Sequence, residues 1–158
     1  YGEYKYKYTT PLRFKGSLAF IIGQYGLISG EYEFIDYSQA KFNSSSYGYF
    51  NENNDISLSY TSTHNFKVGT EWRTGPFSFR GGYAYRPSPY QNDINDGSMT
   101  SYSGGIGYRQ SYYYIDLGYV YTVSEEDYYL YGTENIRVNP VETTLKDHRF
   151  LLTFGARF

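Results

Sequence analysis

The chain has no cysteine, one methionine and one tryptophan in 158 residues. Without cysteine it is neither a disulfide-framed secreted domain nor a Cys-type zinc module. It has no apolar run of about eighteen residues, so no helix of it spans a membrane. It also lacks a surplus of either charge. Lys+Arg 14 against Asp+Glu 16 gives a formal net charge of −2, and a nucleic-acid partner would call for a basic face. The absences end at the aromatics: 23 Tyr and 11 Phe bring the aromatic share to 22%, which disordered chains do not reach. Mean hydropathy is nevertheless −0.62. A Tyr-rich soluble β protein and a membrane β-barrel, whose signal per strand is weak, both fit these numbers. The length fits one domain, 1–158, with no second one. The chain opens on Tyr1 with no signal peptide, which reads as a mature or truncated product.

Alternation of apolar and polar residues with period two predicts seven strands. They lie at 11–23, 26–38, 64–74, 77–87, 100–110, 112–123 and 147–158, and helical spacing is not evident. Each is close to the ~9–11 residues with which a tilted strand crosses a bilayer. Short connections (Gly23-Gln24-Tyr25-Gly26, Thr74-Gly75-Pro76, Gln110-Ser111) alternate with long ones at roughly 39–63, 88–99 and 124–146. The long ones are rich in Asn, Ser, Asp and Glu and read as solvated loops. Outer-membrane barrels alternate in this way, with short periplasmic turns and long extracellular loops.

The two faces of these strands differ sharply. One carries Leu12, Phe14, Gly16, Leu18, Phe20 and Ile22, then Ile28, Gly30, Tyr32 and Phe34, then Phe66, Val68, Thr70 and Trp72. It continues through Phe77, Phe79, Gly81, Tyr83, Tyr85, Tyr102, Gly104, Ile106, Tyr108, Tyr113, Ile115, Leu117, Tyr119 and Tyr121, and ends on Phe150, Leu152, Phe154, Ala156 and Phe158, without one charge. The other carries Arg13, Lys15, Glu31, Glu33, Lys67, Glu71, Arg73, Arg80, Arg86, Arg109, Asp116, Arg149 and Arg157 among Ser, Ala and Gly. Opposite charges fall within cross-strand reach, as in Lys15 with Glu33 and Glu71 with Arg80. Aromatics gather at both ends of the apolar face, with smaller groups such as Leu18, Gly30, Val68, Gly104 and Leu117 between them. Two aromatic girdles around an aliphatic band are what two bilayer interfaces select. On this pattern the fold is all-β, an antiparallel transmembrane β-barrel segment. Its apolar face meets membrane lipid, and the thirteen charged residues are lumen-facing candidates. Arg at Leu117 or Gly104 is then expected to be costly, and Arg at Gly105 or Gly107, on the wet face, much cheaper.

Seven strands cannot close a single-chain bacterial barrel, which has an even number, and an open sheet would expose unpaired backbone to lipid. Either Gly2–Tyr8, where Tyr4, Tyr6 and Tyr8 alternate with Lys5 and Lys7, belongs to an eighth strand, or the chain is part of a larger barrel. Thr10-Pro11-Leu12-Arg13-Phe14 and the run Gly26-Leu27-Ile28-Ser29-Gly30-Glu31-Tyr32-Glu33-Phe34-Ile35-Asp36-Tyr37-Ser38 resemble the FadL-like outer-membrane transporters of long-chain fatty acids and toluene. Arg80-Gly81-Gly82-Tyr83-Ala84-Tyr85 with Ser88-Pro89-Tyr90, and Tyr102-Ser103-Gly104-Gly105-Ile106-Gly107-Tyr108-Arg109, add to the likeness. It covers essentially the whole chain and corresponds to the C-terminal half of that family's barrel. The resemblance implies a 14-stranded barrel in the bacterial outer membrane, passive uptake of hydrophobic cargo, and an upstream half, or another sheet edge, as partner. The family's plugging hatch would lie before Tyr1, and Asn139-Pro140 does not match its Asn-Pro motif, so no gating residue is carried over. The alternative is a small eight-stranded barrel with structural or adhesive loops.

Little in the chain points to catalysis or cofactors. His64 and His148 are the only histidines, both near long loops. His148 beside Asp147 could serve as a general base at the rim, against the plainer reading of a solvated rim histidine. No His/carboxylate spacing suits a metal, and Glu125-Glu126-Asp127 reads as a solvated run before it reads as a calcium site. Ser103-Gly104-Gly105 sits in a strand, not at a nucleophile turn. The expectation is a non-enzyme without cofactor. Phe150, Leu152, Phe154 and Phe158 look like the C-terminal signal that barrel-assembly machinery reads. Deleting Phe158 removes one anchor among many. Refolding titrations should show a modest loss of stability, and pulse-labelled insertion in cells a much larger drop; insertion at the normal rate would refute the signal.

Overall fold

The computed structural model describes residues 5–91, 95–128 and 140–156. Seven strands form one antiparallel sheet in chain order: β2 (Leu12–Ile22), β3 (Gly26–Asp36), β5 (Ser62–Thr74), β6 (Phe77–Arg86), β7 (Met99–Arg109), β8 (Tyr113–Tyr128) and β9 (Val141–Ala156). The expected strands are all present, with ends shifted by a few residues. The largest shift is at β8 and β9, which run on past the expected ends and pair over sixteen residues. Glu125-Glu126-Asp127 therefore lies in a strand and not in a loop.

Turn chemistry explains the short connections. At Gly75-Pro76, Gly75 has φ 54° and Thr74 pairs with Phe77. A positive φ followed by proline, whose ring holds φ near −65°, is the II′ combination that suits the twist of a hairpin. Gly23, also at φ 54°, starts the turn in which the Ile22 carbonyl accepts the Tyr25 N–H at 3.1 Å.

The long connection after β3 is not a plain loop. It holds a 3-10 turn (Tyr37–Gln39), strand β4 (Lys41–Asn43) and helix α1 (Phe50–Ser59). The helix corrects the all-strand reading. Its sequence, FNENNDISLS, has no apolar stripe, and its Asn, Asp and Ser are weak helix formers. Tertiary contacts hold it. The Asn53 amide donates to the Phe42 carbonyl at 2.9 Å and its oxygen accepts the Phe42 N–H at 2.8 Å, so it pairs with the free edge of β4 as a strand would. The other edge of β4 pairs with β1 (Lys7–Thr9) in a separate two-stranded sheet. Of the Lys-Tyr alternation, residues 2–4 lie outside the described residues and Lys7 and Tyr8 lie in a strand that does not join the main sheet as an eighth member.

The amphipathicity of the main sheet is the reverse of a water-soluble sandwich. Its apolar face is the exposed one: Leu18 is 71% exposed, Phe20 70% and Phe150 76%. On the polar face the carboxylates are sheltered, Glu33 and Glu71 at 14% and 16%, while their Arg partners stay more open to solvent. Side chains from β2 to β8 line a single groove of about 630 Å³ on that side, so the sheet curls toward its polar face. Among the described residues, the buried ones are Ile35, Ala40, Thr63 and Asn65, in a small cluster where the 37–61 connection meets the sheet, and Gly107 in β7. The edge strands are β2 and β9. Six antiparallel steps separate them, so they run in the same direction.

Gly75→Ala should lower stability by about 1–2 kcal/mol, the cost of a left-handed backbone with a Cβ. Gly48→Ala, where a Cβ meets open space and φ is ordinary, should be near neutral. Equal urea midpoints for the two variants would contradict the turn assignment.

Candidate functional site: the charged concave face

Strand alternation places the charged residues on one side, and the register decides which of them meet. Two networks result. In the first, across β2, β3 and β5, Glu31 accepts from Lys15 at 2.9 Å and from Lys67 at 2.7 Å. Glu33 lies 3.6 Å from Arg13 and accepts the Asn65 amide at 3.1 Å. Lys15 stands opposite Glu33 in the register, as expected, yet its ammonium pairs diagonally with Glu31. The strand twist favours that diagonal, and Glu33 takes Arg13 instead.

In the second network, Glu71 holds Arg73 and Arg80 at 2.6 Å each, and Arg80 reaches Asp116 at 2.6 Å. Glu71 and Arg80 are opposed in register, as the sequence suggested. The Arg80–Asp116 bond was not legible. Arg80 is in β6 and Asp116 in β8, so the guanidinium crosses over β7. Gly107 makes the crossing possible: a Cβ there would overlap the Asp116 carboxylate and the Ser78 hydroxyl. Gly105 is also tight, with its absent Cβ 3.2 Å from the Leu117 carbonyl. The expectation that a large residue is cheap at Gly105 or Gly107 therefore fails. The face is polar, but these two glycines carry the network across it.

The remaining charges stand apart. Arg149 pairs with Asp147 at 2.6 Å, Arg109 lies 5.3 Å over the Tyr114 ring, and Arg86 approaches the Met99 sulfur at 3.9 Å. Arg157 falls outside the described residues, as does Phe158. Phe150, Leu152 and Phe154 share the exposed apolar face of β9. Between the two networks runs a row of small residues in register: Ala19, Ser29, Gly69, Gly82 and Ser103. They leave the middle of the concave face open.

The histidines lie on the other side of the sheet. His148 Nδ1 is hydrogen-bonded to the Tyr119 hydroxyl at 2.8 Å, and His64 Nδ1 to the Tyr32 hydroxyl at 2.7 Å. Neighbours in a strand point to opposite faces, so Asp147 and His148 cannot form an acid–base pair.

Past the Tyr121–His148 register pair the outer face turns polar, through Glu125, Asp127, Lys146 and Glu142. The 95–98 segment docks there. Asp127 accepts the Asp96 N–H at 3.0 Å, and Asn95 accepts the Asp127 N–H at 2.8 Å. A hydrogen bond with Asp96, and that residue's charge, push the Glu125 carboxyl up. Partial burial works against Asp96 ionising, but the Ser98 N–H, at 2.8 Å, holds its pKa down. Among the described residues no three His, Asp or Glu side chains are placed to hold a metal.

Glu71→Gln takes the counter-charge from Arg73 and one of two from Arg80, at a sheltered carboxylate. It should destabilise by more than the ~0.2–1 kcal/mol of an exposed pair. Asp147→Asn, whose pair with Arg149 is open to solvent, should stay inside that range; urea titrations showing the reverse order would refute the network. No protein family, curated protein or solved structure matches this chain.

Proposed function

We propose that the seven-stranded sheet is a wall segment of a bacterial outer-membrane β-barrel, with its apolar face in lipid and its charged face toward a lumen. On this reading the protein is part of a channel for passive uptake of hydrophobic compounds such as fatty acids. The observation that carries the first step is the reversed amphipathicity: apolar side chains exposed across seven strands, and the carboxylates of the ionic networks sheltered on the opposite face. Water-soluble monomers rarely expose apolar patches beyond a few hundred Å². The height of the band supports the same reading. On β8 the outward apolar run extends from Tyr113 to Val123 before the face turns acidic at Glu125. At ~3.4 Å per residue that is roughly 34 Å along the strand, or about 26 Å across a bilayer at the usual tilt, near the ~25 Å band of such barrels.

Two features favour a larger barrel over an eight-stranded one. β1 pairs with β4 away from the sheet. Eight-stranded barrels fill their interior with side chains, whereas this concave face carries a row of Ser, Ala and Gly. The partners of β2 and β9 are strands running the opposite way, and in the proposed parent barrel the upstream half supplies them. The hydrophobic nature of the cargo follows from the FadL-like resemblance of the strand motifs.

Cell fractionation and uptake test this reading. The parent protein should reach the outer membrane, and its deletion should slow entry of a labelled long-chain fatty acid while leaving a small sugar unaffected. A soluble protein, or unchanged uptake, would refute the corresponding half. The wall itself is tested by substitution. Leu117→Arg and Gly104→Arg should each cost about 2–4 kcal/mol on the lipid face. Gly118→Arg, on the concave face with only ordinary contact at 3.8 Å, should cost much less. Equal losses in a refolding assay would reverse the inside and outside assignment.

A further inference from the structure

Strand β9 has a register problem that most of its contacts do not solve. It is an edge strand, bound among the described residues to β8 alone. A long connection joins the two, not the two- or three-residue turn that dictates register in a hairpin. A slip of one residue is excluded, because it would turn every side chain to the wrong face. A slip of two residues is not, because it keeps both faces. Leu117 would then meet Phe150 or Phe154 instead of Leu152, an apolar pair in every case. The ion pairs are indifferent too, since Arg80–Asp116 lies outside β9 and Asp147–Arg149 lies within it. The Tyr119–His148 hydrogen bond is diagonal, and a slip in one direction would bring the two residues directly opposite.

One contact discriminates. Tyr114 is paired with Gly155, and its ring lies over the glycine backbone so closely that a Cβ on residue 155 would overlap the hydroxyl edge of the ring. Arg109 covers the ring, its guanidinium 5.3 Å from the centroid. In either slipped register Tyr114 would face Thr153 or residue 157, an arginine, and both carry a Cβ where the ring must lie. We propose that Tyr114 seated on Gly155 is the register lock of β9, selecting the native pairing with β8 from the two that differ by two residues. The lock depends only on the pairing of β8 with β9, so it stands or falls separately from the transport reading.

The absence of native cysteine makes the test direct, because any disulfide formed must be the engineered one. In the intact full-length protein, Glu125→Cys with Thr144→Cys reports the native register. Glu125→Cys with Glu142→Cys, or with Lys146→Cys, reports a two-residue slip in either direction. With Tyr114 and Gly155 present, the native pair should oxidise at least tenfold more than either slipped pair. Tyr114→Ala should bring that ratio down several-fold, and Tyr114→Phe, which keeps the ring, should preserve it. Gly155→Ala should either show the same loss or fail to assemble. If it fails, adding Tyr114→Ala should restore a folded protein with mixed registers. A Tyr114→Ala protein that forms the native pair alone, or that does not fold at all, would overturn the proposal. So would a non-assembling Gly155→Ala protein that Tyr114→Ala does not rescue.

Discussion

The rest of this structure depends on a sheet whose apolar face has no partner within the described chain. Each of the seven strands puts most of its Leu, Ile, Phe and Tyr side chains outward, and among the described residues no second layer lies against them. Water would penalise that surface, at roughly 25 cal/mol for each Å² of apolar area left exposed. A hydrocarbon environment removes the penalty and imposes a second demand: every backbone N–H and C=O must be paired, at several kcal/mol for each failure. The interior strands meet that demand through continuous antiparallel ladders. β2 and β9 meet it on one side only, which is why the proposed function includes a larger barrel.

Inside the curl, the chain solves a different problem. Charges sheltered from water need partners, and here one carboxylate commonly serves two cations: Glu31 between Lys15 and Lys67, Glu71 between Arg73 and Arg80. Glycine sets the reach of the second network. Because β7 presents Gly107 at the crossing point, Arg80 spans two strand spacings to Asp116 and ties β5, β6 and β8 together without a contribution from β7. The small residues of the central row do the opposite. They keep side chains out of the space between the networks, so the concave face has two braced ends and an open middle. A passage for cargo would use such an arrangement; a packed core would not.

At the loop end, order comes from side chains acting as backbone. Asn53 completes the edge of β4, while Asn95 accepts the Asp127 N–H and Asp127 accepts the Asp96 N–H, which hold the 95–98 segment against the extended end of β8. Here Asn- and Asp-rich stretches that look like solvated connections fold into defined structure. Their polar side chains hydrogen-bond to main chain with the geometry of a strand partner.

The sequence by itself determined the strands, their faces and the hairpin turns. Period-two alternation is a local property: Leu117 and Asp116 must point to opposite sides whatever surrounds them, and Gly75-Pro76 allows one kind of turn. Helix α1 was not legible, because Phe50–Ser59 has no apolar stripe and forms only where Asn53 can reach Phe42. The separation of Asp147 from His148 could have been read from the same alternation, as could the shared side of Asp147 and Arg149. Only the tertiary structure decided that Lys15 turns to Glu31 and Arg80 also reaches Asp116, that Gly107 must be a glycine, and that β1 leaves the main sheet. Those outcomes depend on register and twist between strands far apart in the chain. A displacement of two residues along β3 redirects Lys15 from Glu33 to Glu31, and no local pattern encodes it.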